Sequence, residues 1–236
     1  MGHGDAAGAA GGAGGAVQPV TLRLPFRGRW TVQNSPANRV PSHGTDLFGT
    51  TYAIDFVAVD AQGRSAPSSW RAVVGVERPD QFTGFGAPIL APASGVVAAV
   101  HDGEPDHEAR RSPVSLLGYA LTQAGRVRQG VGAVAGNFVV LAVPVRPGSM
   151  AGVRTVYVLL AHLRRGSIGV GVGDAVVPGA RLGECGNSGN STEPHVHVQV
   201  TDSMDWSRAR GLPLAFEGPG GKQPWLPRTG ETLDAG

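Results

Sequence analysis

The chain has 236 residues, 41% of them apolar, which is enough for one sizeable domain with its own core. Its formal charge of +2, from 20 Lys and Arg against 18 Asp and Glu, points to no nucleic-acid surface and no acidic tail. Cys185 is the single cysteine, so an intrachain disulfide is excluded, and no apolar run reaches the ~18 residues of a membrane span.

With 37 Gly, 18 Pro and only 16% charged residues, the composition favours short strands joined by turns over long exposed helices. Residues 1–17 are Gly- and Ala-rich and read as a disordered tail. That segment lacks the basic and apolar regions of a secretory leader, so the chain as written is expected in the cytoplasm. A single domain is expected over 18–215, followed by a C-terminal extension over 216–236. The first strand falls in TLRLPF, from Thr21, ahead of a loop rich in Pro, Ser and Asn. TYAIDFVAVD, Thr51 to Asp60, is aromatic and β-branched and predicts a strand. PILAPASGVVAAV, Pro88 to Val100, predicts a strand or pair broken at Ser94-Gly95. Residues 101–136 change character: a charged loop leads to Ser112 and Pro113, placed like an N-cap and first helical residue, so a helix-bearing insertion is expected there. NFVVLAVPV, VRTVYVLLAHL and HVHVQVTD supply three more strands, with the Gly-rich stretch from Ser167 to Gly186 turning between the last two. The sum is an all-β, antiparallel core.

The chemistry gathers on histidines. His195 and His197 are one residue apart in an alternating strand, so both project from one face, roughly 6–7 Å apart. His162 ends an apolar strand. His43 sits in the loop RVPSHGTD, ahead of the strand carrying Asp55. A carboxylate inside an apolar strand is costly unless it is paired or bound to a metal. Asp46 reads as a turn or cap residue beside Gly and Thr. His3, His101 and His107 read as solvated surface residues, and Cys185 as a small buried filler. A catalytic zinc takes three imidazole or carboxylate ligands and keeps a fourth position open, a count that two histidines and one aspartate meet. Two histidines then remain for proton transfer and for steadying an oxyanion. The competing structural reading makes the five residues satisfied core-edge groups scattered in space.

The succession APASGVV, GNFVVL, LLAHL and GNSGNSTEPHVHVQV resembles the core of the lysostaphin/LytM-type zinc endopeptidases that cut peptidoglycan peptides. The resemblance spans about Leu24 to Asp202 and is densest from Gly136 to Val200. It implies a small antiparallel β-sandwich or barrel, the duplicated hybrid motif. It also implies one zinc ion held by His43, Asp55 and His197, with His162 and His195 as catalytic histidines. Two departures stand out: His43 and Asp55 lie farther apart than in the family's common His-x-x-x-Asp, and Leu160 replaces the tyrosine usual two residues before the catalytic histidine. Of the two acids, YAIDF around Asp55 matches the motif and Asp46 offers only proximity. His195 is favoured as general base because it shares a strand face with His197. The implied partner is a peptide or peptidoglycan substrate in the cell envelope or outside the cell, with a monomeric protein. Two other functions compete: a non-catalytic relative that regulates or scaffolds another hydrolase, and a histidine phosphocarrier on a related β fold, which needs no zinc.

Overall fold

The computed structural model of the protein describes residues 18–68, 75–111, 131–145 and 154–236. Among them, β2 (Gly28–Gln33), β3 (Ile54–Ala58), β5 (Gly95–His101), β6 (Asn137–Pro144), β7 (Thr155–Leu163), β8 (Ala175–Val176), β10 (Val196–Thr201) and β12 (Thr232–Ala235) form one antiparallel sheet. Its strand order is β12-β2-β3-β10-β7-β6-β5-β8. Two small pairs accompany it: β4 (Pro88–Leu90) with β9 (Arg181–Glu184), antiparallel, and β1 (Val20–Leu22) with β11 (Leu214–Phe216), parallel. The all-β expectation is met, and the break between β4 and β5 includes Ser94.

Alternation explains which side of the large sheet does what. In β10, Val196, Val198 and Val200 enter the main core, which sends His197, Gln199 and Thr201 to the other face. The same phase puts Trp30, Val32, Ile54, Phe56, Leu141 and Leu160 in that core, where Ile89 of β4, Leu182 of β9 and Phe216 of β11 close over them. Phe26 stacks on Trp30 at 4.5 Å between centroids and meets Phe56 edge-on at 5.0 Å. Each such buried side chain contributes about 1.5–3 kcal/mol. On the opposite face a second, smaller apolar cluster joins Ala135, Phe138, Val140, Leu159 and Ala161, with Trp206 packed against it. The histidine-bearing face is thus apolar on its β7 side.

Residues 216–236 return to the sheet: β12 pairs with β2, Leu233 lying opposite Trp30 and joining the main core. Within the expected insertion a short helix, α1 (Val131–Ala135), precedes β6; the expected cap at Ser112 and Pro113 and the tail over 1–17 lie outside the described residues. Between β6 and β7 the register shifts, since Asn137 pairs with Leu163 and Val139 with Leu160, so β7 carries one extra residue there. The bulge holds His162 at φ +62, a left-handed conformation uncommon for a residue with a Cβ. Its backbone is clamped, because Leu163 O accepts from Ser188 Oγ at 2.8 Å and from Asn137 Nδ2 at 3.0 Å. Gly136 and Gly189, both at positive φ, let the end of α1 and the Ser188 loop touch backbone to backbone, where a Cβ on either would collide with the other.

Candidate metal and catalytic site

Antiparallel pairing of β3 with β10 sets Asp55 directly opposite His197. Residues so paired project on the same side, which brings carboxylate and imidazole together without help from any loop. His43 arrives from the loop before the 3-10 segment Leu47–Tyr52. Its Nε2 lies 2.9 Å from Asp55 Oδ2, and His197 Nδ1 lies 2.9 Å from Asp55 Oδ1. Ligand atoms of all three residues fall within 4.8 Å of one another. Three donors at ~2.1 Å from a tetrahedral zinc are about 3.4 Å apart, so small side-chain adjustments suffice to enclose one.

The groups behind the histidines decide whether a metal fits. Ser42 Oγ, which donates to Thr50 O, accepts at 3.0 Å from His43 Nδ1–H. Gln199 Oε1 accepts at 2.9 Å from His197 Nε2–H, while its amide nitrogen is committed to Phe48 O at 2.8 Å. With its proton on the outer side, each imidazole turns a lone pair toward the carboxylate, the arrangement a metal ligand needs. Two nitrogens and a carboxylate so disposed are held together either by protons on the nitrogens or by a cation that replaces those protons. The donor set of two nitrogens and one oxygen suits zinc. With protons in the cation's place, burial alone would raise the Asp55 pKa, but the charges of His43 and His195 and hydrogen bonds from His197 and His43 hold it well below the usual carboxylate range. Asn34 Nδ2 adds a donor to Oδ2 at 2.8 Å. Burial pulls His197 down, yet its hydrogen bond and charge interaction with Asp55 leave it raised.

His162 and His195 complete the cluster, ring centroids 4.6 Å apart and both buried. The Nδ1–H of His162 donates to Ser188 O at 2.9 Å, and that of His195 to Glu193 O at 2.8 Å. Both therefore present Nε2 inward, that of His195 only 3.7 Å from Asp55 Oδ1. Burial, reinforced by the neighbouring histidines, holds the His162 pKa well below the ordinary imidazole value. All five residues line one cavity of about 320 Å³.

The remaining candidates lie elsewhere. Asp46 is outside the cluster and accepts from Thr51 Oγ1 at 2.9 Å. His101 stacks on Phe138, with centroids 5.6 Å apart. His107 is not the solvated residue the sequence suggests: it is half-buried and bonded through Nε2 to Gly189 O at 2.9 Å, tying the charged loop to the loop before β10. Cys185 is buried in the core, with its thiol pushed up by burial. Leu160, in the position of the family's tyrosine, faces the main core. Sequence reasoning missed Ser42, Gln199 and Asn34. Gln199 had a signal, since in HVHVQVT every second residue is polar and shares the histidines' face; Asn34 had none.

The sequence profile described as Peptidase family M23 matches residues 120–208. Comparison with curated proteins finds no match. Among solved structures, the catalytic domain of the antimicrobial peptidase lysostaphin from Staphylococcus simulans is 20% identical, with 68% of this chain and 74% of that one covered and a TM-score of 0.36. The catalytic domain of a variant of the prophage-encoded M23 protein EnpA from Enterococcus faecalis is 16% identical, covering 84% and 95%, with a TM-score of 0.37. A zinc-containing peptidase from Vibrio cholerae is 18% identical, with a TM-score of 0.32; 67% of this chain matches 48% of that one, about half its length. Of the site, the stretch matched by the profile holds His162, His195 and His197. Over residues 120–208 the chain is thus similar to peptidase family M23.

Proposed function

We propose that the protein is a zinc metalloendopeptidase that hydrolyses peptide bonds in peptidoglycan stem or cross-link peptides. The observation that carries this reading is the arrangement of the rings: four buried or half-buried histidines converge on one cavity, each with its outer nitrogen hydrogen-bonded to a fixed partner, the inner nitrogens of His43 and His197 on Asp55 and those of His162 and His195 facing the cavity. Satisfied core-edge histidines would not share a cavity, and a phosphocarrier has no use for Asp55 between two imidazole lone pairs.

In this reading His43 Nε2, His197 Nδ1 and an Asp55 oxygen hold the ion. Bound there, zinc supplies Lewis acidity that brings the pKa of a water toward ~7 and polarises the scissile carbonyl. The residues do the rest. His195 Nε2, beside the ligand carboxylate, takes the proton from the attacking water and returns it to the leaving amine. Glu193 O keeps the His195 tautomer correct by holding Nδ1–H. His162, kept neutral at rest, takes a proton from solvent on Nε2 as negative charge develops nearby, donates it as a hydrogen bond to the oxyanion, and returns it to solvent when the intermediate collapses. Ser42 and Gln199 hold the ligand rings in orientation throughout.

The test is zinc content by elemental analysis together with hydrolysis of defined muropeptides and a pentaglycine peptide. The parent should carry one zinc and cleave; His197→Ala should lose both, and His195→Ala should keep zinc while losing turnover. A His197→Ala protein with full zinc and full hydrolysis would overturn the reading.

A further inference from the structure

Among the described residues, four carboxamides line the cavity, those of Gln33, Asn34, Asn190 and Gln199. Three are spent within the protein: Gln33 Nε2 donates to Glu193 Oε1 at 3.3 Å, Asn34 Nδ2 donates to Asp55 Oδ2 at 2.8 Å, and Gln199 bonds His197 at one end and Phe48 O at the other. Asn190 differs. Its backbone N–H donates to Val134 O at 2.8 Å, but its side chain makes no hydrogen bond to a described residue, and Oδ1 is buried without a partner. A buried acceptor left unmet is costly, and the cost is recovered only when a donor arrives.

The loop around Asn190 also carries the two carbonyls that orient His162 and His195. Ser188 O, just before it, accepts from His162 Nδ1–H, and Glu193 O, just after it, accepts from His195 Nδ1–H. The bond to Val134 O and the close packing of Gly189 on Gly136 fix the Asn190 backbone against α1. Only the side chain keeps its freedom: no hydrogen bond opposes rotation of the carboxamide about χ2, which lets oxygen and nitrogen together face a planar partner.

We propose that Asn190 binds the main chain of the substrate at one extended residue near the scissile bond. Oδ1 accepts that residue's N–H and Nδ2 donates to its C=O, as paired residues of antiparallel strands exchange both bonds. The proposal rests on the peptidase reading and deepens it. Every residue with a backbone N–H offers this donor and acceptor, glycine included, so Asn190 gives affinity without asking for any side chain, and a pentaglycine segment is held as firmly as a mixed-sequence stem peptide. Because the same loop holds both imidazoles, a main chain bonded to Asn190 is placed in fixed relation to His162 and His195.

The experiment uses the zinc-loaded full chain with pentaglycine and a stem peptide, each also made with the N–H of one residue at a time replaced by an ester oxygen, the scissile amide excepted. In the parent, one ester position should lower kcat/KM by about tenfold. Asn190→Ala should keep its zinc, lose about tenfold on the all-amide peptide, and lose less than about twofold more when that ester is introduced, because both changes remove one interaction. Asn190→Leu, which keeps the bulk of the side chain, takes its place if the alanine variant does not fold. Losses that add at every ester position, or a variant with the parent's kcat/KM, overturn the proposal. Calorimetry separates the two readings. If the parent binds the peptides without cutting them, the peptidase reading fails, while tighter binding of the all-amide peptide that depends on Asn190 still supports the contact. Binding indifferent to the ester and to Asn190 overturns it.

Discussion

Replacing Gln199 by Leu tests whether the outer partner of His197 governs metal affinity. The side chain is 2% exposed and makes two hydrogen bonds, accepting from His197 Nε2–H at 2.9 Å and donating to Phe48 O at 2.8 Å. Leucine has nearly the same volume, so no cavity is opened, but two polar groups lose their partners. Each orphaned group costs about 1–3 kcal/mol. The loss at Phe48 O appears in folding stability. The loss at His197 appears in metal affinity, because Nδ1 is no longer fixed as the lone-pair nitrogen, and outer partners of this kind are worth about 10–100-fold. Titration of apo-protein with zinc against a chromophoric chelator should therefore show Kd rising about 10–100-fold, with urea unfolding of the metal-free protein reporting the stability loss separately. Gln199→Glu, which keeps an acceptor, should retain the affinity. If Gln199→Leu lowered stability but left the zinc Kd within about twofold, tautomer control by Gln199 would be refuted.

Three further outcomes follow from the same structure. Arg111 reaches Glu77 through Nε and Nη2, both at 2.8 Å, and Glu77 is 2% exposed, so Arg111→Ala strands a buried carboxylate; urea unfolding should show a loss of about 2–4 kcal/mol, reduced from the fully buried case because Arg111 is partly solvated. Cys185, fully buried with its thiol pushed up by burial, should stay unreactive to an aromatic disulfide reagent in the folded protein and react in full once unfolded. His162 has a depressed folded pKa, so it contributes stability that is present above the unfolded value of ~6.5 and is lost as pH falls toward the folded pKa. Metal-free His162→Gln, still able to donate to Ser188 O, should accordingly lose less stability than the parent between pH 7 and pH 5 in urea titrations; equal losses would contradict the assignment.

How much of this was legible beforehand follows from the range of each signal. Alternation in VHVQVT and the β-branched strand IDFVA are local patterns, and they gave the sheet, the buried face and the projecting pair His195 and His197. The meeting of Asp55 with His197 depends on β3 lying beside β10, a pairing across 142 positions that no local pattern encodes; only the family resemblance supplied it. Asn34 donates to Asp55 from a left-handed position just beyond β2, and its sequence surroundings read as an ordinary turn. The bulge at His162 was hidden for the opposite reason: VYVLLAHL looks like an unbroken apolar strand, and the phase slip shows only when β6 is laid alongside. The half-buried state of His107 escaped because its partners come from the loop before β10, some eighty residues away.

The phase slip in β7 has one more consequence. Leu160 before it and Leu163 after it both face the main core, although an unbroken strand would send one of them to each side. His162, the residue that faces the histidine cluster, is therefore supernumerary to the sheet: the core is read in one frame up to Leu160 and in a shifted frame from Leu163. The side chain at position 162 packs against His195 and bonds Ser188 O, while Leu160 and Leu163 on either side of it fill the core. In this strand, the core and the cavity are thus served by different residues of one short stretch.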